Sequence, residues 1–312
     1  MDDLHDARAT RRTPTGWFLL FGAAGGIAGL LPWLASGPFL PLQNLGEGQD
    51  PSRPGPFVLL PYSQYSIITI IVLLVIGGVL AGVLARFRGA RPGVGRSLAT
   101  VAGLVVVQVA AVVQTAVTTR AVLQERDESA VYLLLLTAVA VLAAVVAAVV
   151  CLLVAAAPRA GAGVGLMVGA AAAGSWLGVL LFPPFSYESP FSALIPMLTY
   201  VSPVLVGLAI AWTGVASIGR VIAALVGLGL VWLVPALTTA IASAAGTRVL
   251  ARDLPGMAEY GISVFRSAST IPEIVAPPLV TAVVVAVAGL LVRRLLASRR
   301  RRAASPVPTA QG

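Results

Sequence analysis

The chain has 312 residues, 58% of them hydrophobic and 11% charged, with a net charge of +9. An ordinary soluble domain carries about 25% charged residues, so the composition excludes a soluble enzyme, a disordered chain and a fibre. A polytopic membrane protein remains, in keeping with a mean hydropathy of +0.95.

A membrane-spanning helix needs about 20 mostly apolar residues. Residues 1–16 form a polar arm with Asp2, Asp3, Asp6, Arg8, Arg11 and Arg12. The first apolar run, 17–35, is expected to be a span rather than a cleaved leader, because acids precede it and it exceeds a usual leader core. The loop 36–64 carries Pro38, Pro41, Pro51, Pro54, Pro56 and Pro61 with Phe39, Phe57 and Tyr62. It is too apolar for a free linker and is expected to fold over the helix ends. Spans follow at 65–85, 97–118 and 130–157, the last without Gly or Pro inside. A fifth span, 163–182, leads to a second Pro- and Phe-rich connection, 183–191.

The sixth and seventh spans are expected at 195–218 and 221–245. A hidden amphipathic helix is expected near 255–268, outside the membrane core. Met257, Gly261, Val264, Phe265 and Ala268 share one face, and Glu259, Ser263, Arg266, Ser267 and Thr270 another, with Asp253 and Pro255 as its start. The eighth span is 277–296, and 297–312 reads as a basic disordered tail. Only helices satisfy their own backbone hydrogen bonds in each of these segments. The fold class is therefore all-α, a bundle of about eight transmembrane helices.

All 21 basic residues are Arg. With the excess of Ala, Val and Gly, this points to GC-rich coding and a bacterial source. With both termini cytoplasmic, 15 Arg fall on the inner side and 6 on the outer, as the positive-inside rule requires. The expected location is the plasma membrane. The net charge is explained by this asymmetry, so nucleic acid is not an expected partner. Arg299, Arg300, Arg301 and Arg302 read as a topology anchor that also touches anionic lipid, at about 1 kcal/mol per Arg.

The sequence carries signs of internal duplication. Thr119-Arg120, Val122-Leu123 and Arg126-Asp127 after the third span match Thr247-Arg248, Val249-Leu250 and Arg252-Asp253 after the seventh. Gly22-Ala23-Ala24, Trp33-Leu34 and Pro38-Phe39 match Gly169-Ala170-Ala171, Trp176-Leu177 and Pro184-Phe185. Four spans per unit would give parallel units, 17–160 and 161–296.

The chemistry available is narrow. One cysteine, Cys151, and one histidine, His5, cannot build a disulfide, a zinc site or a haem site, so no cofactor is expected. No Asp, Glu, Arg or His falls in the middle of a span, which argues against coupling through a membrane carboxylate. Gln108 and Gln114 are the most polar groups within the spans. They lie about 120° apart on one helix and serve either helix packing or a substrate path. Thr238 and Thr239 adjoin Pro235, which is expected to kink the seventh span. Rows of Gly at four-residue spacing, such as Gly22/Gly26 and Gly78/Gly82, point to close helix packing. The expected function is a non-catalytic component or scaffold of a cell-envelope assembly with a membrane protein partner. The alternative is a permease for an uncharged or lipidic substrate. An enzyme using Tyr187 or Glu188 at the outer surface lacks a visible acid–base set.

Overall fold

The computed structural model describes residues 14–41, 55–88, 93–181, 191–247 and 253–303, with the backbone alone for 192 and 300–303. Among these residues there are nine α-helices and no strand. They are α1 (Thr15–Ser36), α2 (Ile67–Arg88), α3 (Val94–Val122), α4 (Asp127–Ala156), α5 (Arg159–Leu181), α6 (Ile195–Thr213), α7 (Ile218–Gly246), α8 (Leu254–Thr270) and α9 (Pro272–Ala303). All but α8 are long and apolar enough to cross a membrane. The chain is a multi-pass helical bundle, with an apolar exterior suited to a lipid bilayer.

The described charges divide between the two ends. Arg86, Arg88, Arg96, Arg159, Arg220, Arg293, Arg294 and Arg299 lie at one end, with no described acid. Glu125, Asp127, Glu128, Asp253, Glu259 and Glu273 lie at the other, together with Arg120, Arg126 and Arg266. These ends are called the basic and acidic faces.

Glycine permits the tightest crossings. On α1 and α3, a Cβ at Gly22 would meet the carbonyl oxygen of Thr100, and one at Gly103 that of Leu19. On α2, a Cβ at Gly78 would meet the Ala147 oxygen of α4. The small-residue rows are thus used within the molecule, where backbones approach without side chains between them.

The loop after α1 enters the bundle at the acidic face. Phe39 and Phe57 form an antiparallel bridge, and Val58, Leu60 and Tyr62 are fully buried. Irregular backbone at such depth requires protein donors and acceptors, and the neighbouring helices supply them. The Gln114 carboxamide accepts from Leu59 N (3.0 Å) and donates to Phe57 O (2.9 Å). Thr115 Oγ1 accepts from Leu60 N (3.0 Å), Trp33 Nε1 donates to Val58 O (3.0 Å), and Tyr132 OH accepts from Gln64 N (3.2 Å). Burial pushes the Tyr62 phenol above its usual pKa, so it stays neutral. The expected cover over the helix ends is therefore a plug set between them.

Helix α8 takes its expected faces. Met257, Gly261, Val264, Phe265 and Ala268 are half-buried, while Glu259, Ser263, Arg266, Ser267 and Thr270 are exposed. Asp253 caps its start by accepting from Gly256 N at 3.0 Å. The helix folds back along α7, with Gly261 against Ala244 and Ser269 O accepting from Trp232 Nε1 at 2.9 Å. Helix α9 runs on to Ala303, beyond the expected span end at 296. Arg is a good helix former and its charge suits a helix C-terminus, so the first part of the expected disordered tail is helical. The side chains of Arg300, Arg301 and Arg302 and the arm 1–13 lie outside the described residues.

Within α1–α4 the main pairs are α2 with α4, α1 with α3 and α1 with α2; within α5–α9 they are α6 with α9, α5 with α6, α7 with α8 and α5 with α7. The contact between halves is not reciprocal. Helix α5 packs on α1, α2 and α4, whereas among the described residues α1 has no comparable contact with α6 or α9. Trp176 Nε1 ties α5 to Gly29 O of α1 at 2.8 Å.

Candidate functional site

The expected polar residues separate into two groups. Gln108 is buried on α3, where its Nε2 donates to Leu74 O of α2 at 2.8 Å. Its Oε1 is buried without a partner among the described residues. Gln114 holds the plug. Both glutamines therefore sit in helix and loop packing, and neither lines the cavities described below. Helical rotation could place them on their faces but could not identify the backbone groups they meet.

Pro235, Thr238 and Thr239 instead share the wall of a cavity of about 510 Å³ among α5, α6, α7, the end of α8 and the start of α9. It lies in the half of the bundle nearer the acidic face. Ser175, Thr199 and Ser202 add hydroxyls, and no charged residue lines it among the described residues. Leu198, Leu230, Val234 and Ile274 supply apolar wall.

Three helix-interior prolines line this cavity. A proline within a helix cannot donate to the carbonyl four residues earlier. Pro203 thereby withholds a donor from Thr199 O, Pro235 from Val231 O and Pro278 from Ile274 O. All six of these residues line the cavity. The hydroxyls add further acceptor capacity. Thr238 and Thr239 both donate to Pro235 O at 2.9 Å. Ser202 Oγ donates to Ala171 O (3.0 Å) and accepts from Gly174 N (3.1 Å). With their protons committed, Thr238 and Thr239 offer lone pairs. Acceptors thus outnumber committed donors among the described lining groups, and none of these groups carries a full charge.

Sequence reasoning identified one of the three prolines and two of the hydroxyls. Pro203, Pro278, Thr199 and Ser202 were legible as prolines and hydroxyls within apolar runs, but their convergence depends on how α6 and α9 pack. A second hollow, about 600 Å³ between α7 and α8, is lined only by apolar residues such as Leu237, Ile241, Met257 and Phe265. It offers no polar group to orient a ligand. Comparison with protein-family models, curated proteins and solved structures finds no match to this chain.

Proposed function

We propose that this chain is a non-catalytic membrane component that holds an uncharged amphiphile with a hydrogen-bond-donating head in the α5–α9 cavity. The observation that carries this reading is the acceptor-rich wall made by Pro203, Pro235 and Pro278. A neutral glyceride or long-chain alcohol has the required chemistry, a hydroxyl donor on an apolar body. The uncharged lining among the described residues also fits binding better than acid–base chemistry. In a cell envelope, such a protein would present or sequester a neutral lipid for an assembly. A permease for the same class of molecule is the second reading, favoured by the three proline sites as hinges. We also read the matched sequence segments of the two halves as the trace of a duplicated four-helix unit.

A photoactivatable diacylglycerol in nanodiscs should label peptides of α6 and α7. Ser175→Phe places a ring at the exposed edge of the cavity and should reduce labelling about tenfold, a loss of about 1.4 kcal/mol in binding. Unchanged labelling would sink the cavity as the binding site. Loss of outer-leaflet signal from a fluorescent diacylglycerol in proteoliposomes, faster than in protein-free vesicles, would favour the permease.

We propose further that the basic face is cytoplasmic and that the membrane is the plasma membrane, from the arginine asymmetry. A reporter active only outside the cytoplasm should be silent at both termini. Activity at either terminus would refute this orientation.

A further inference from the structure

We propose that the hollow between the α6–α7 turn and α9, at the basic face, binds a phosphate-bearing anion. This site is separate from the α5–α9 cavity. It measures about 280 Å³ and is lined by Arg220 of α7 and Arg293 and Arg294 of α9, with Gly214, Ala216 and Leu290 completing its wall. That volume admits a phosphate group and several waters, each of which takes about 30 Å³ in the liquid.

Three arginines line this hollow, and no acid among the described residues balances them. Every described carboxylate is at the acidic face. Arg293 Nη1 donates to the carbonyls of Ala211 and Trp212 at the end of α6, which fixes its position. A guanidinium has five donors, so most of those on Arg293 remain for a ligand. Gly214 turns the chain with φ 77°, a conformation that side chains disfavour. A Cβ there would also lie 3.4 Å from Arg293 Nη1. The first turn of α7 opens beside Ala216, and its N-cap Ser217 makes no side-chain cap. Unpaired N–H groups and the helix dipole add positive potential at that end.

A topology anchor needs only positive charge near the interface, as Arg299 provides. Arg220, Arg293 and Arg294 instead surround one small hollow, and Arg forms paired hydrogen bonds with phosphate oxygens. Arg293 directly follows the apolar run of α9, which ends at Val292. That places the hollow at headgroup depth. The shared chemistry is a phosphate oxyanion, carried by an acidic lipid or free in solution.

The test uses the full chain in phosphatidylcholine nanodiscs, with and without a minor fraction of phosphatidylglycerol. Bound lipid is quantified by mass spectrometry after purification. Wild type should retain phosphatidylglycerol preferentially. Arg220→Gln/Arg294→Gln should lower that affinity roughly thirtyfold, the factor for two charges at about 1 kcal/mol each. Arg299→Gln, at the same face but outside the hollow, should retain it. The double variant leaves Arg293 on α6, and its thermal midpoint in phosphatidylcholine should match wild type. If it does not unfold as wild type does, Arg294→Gln alone should still show a partial loss absent from Arg299→Gln. Preferential retention lost only on substitution in the hollow assigns the site to a lipid headgroup. A wild-type midpoint raised by inorganic phosphate, with no rise in the double variant, assigns it to a free anion. Equal loss in Arg299→Gln, or no response to either anion, overturns the proposal.

Discussion

Replacing Gln114 by leucine should release the plug from the bundle and cost about 1–3 kcal/mol of stability. Leucine keeps similar bulk but can neither accept from Leu59 N nor donate to Phe57 O. The half-buried Leu59 N left unpaired costs about 1–3 kcal/mol, whereas Phe57 is exposed and its carbonyl can turn to solvent. The change should appear as faster hydrogen exchange at Leu59 and Leu60 and as a lower thermal midpoint in detergent. Gln114→Glu retains an acceptor for Leu59 N but loses the donor to Phe57 O, so its effect should be intermediate. If the leucine variant exchanged as slowly as wild type, the neighbouring bonds from Thr115 and Trp33 would suffice to hold the segment.

Arg86→Met should have a larger effect at the opposite face. Arg86 Nη1 donates to Val154 O at 2.6 Å and Ala157 O at 3.1 Å, satisfying carbonyls at the end of α4. Its guanidinium carbon lies 5.5 Å from the ring centroid of Trp212 on α6. One half-buried side chain thus joins α2, α4 and α6. Charge-assisted hydrogen bonds contribute about 1.5–3 kcal/mol each, and the ring contact about 0.5–2 kcal/mol. A loss of about 4 kcal/mol is expected, with only partial recovery in Arg86→Lys, which lacks the planar fork. A double-mutant cycle with Trp212→Leu should give a coupling of about 1 kcal/mol. Zero coupling would confine the role of Arg86 to α4.

The spans were legible because lipid imposes one rule, a long apolar run with internal hydrogen bonds. The faces of α8 were legible for a similar reason, since five half-buried residues repeat at helical spacing. Gly22 and Gly78 announced close approaches, although not the helices that approach. Partners were the part the sequence withheld. Gln114 appears in the chain as a polar group in a helix, and only the return of the loop supplies its two backbone partners. Arg86 and Arg293 mark span ends, but their use as caps on α4 and α6 depends on which helix ends adjoin. The cavity was legible at Pro235, Thr238 and Thr239. Its other walls come from α6 and α9, which lie apart from α7 in sequence.

The plug also constrains the order in which the protein can mature. Residues 57–64 leave the ribosome before the groups that hold them, and domains generally form as their chain emerges. Leu59 and Leu60 wait for Gln114 and Thr115, each 55 residues later, and Gln64 waits for Tyr132, 68 residues later. When α1 and α2 have been made, the polar backbone between them still lacks these α3 and α4 partners. It must remain hydrated until α3 and α4 have entered. Final closure of the first four-helix unit is therefore a late event in its synthesis, and the chain before α4 is an assembly intermediate with an open, wet mouth.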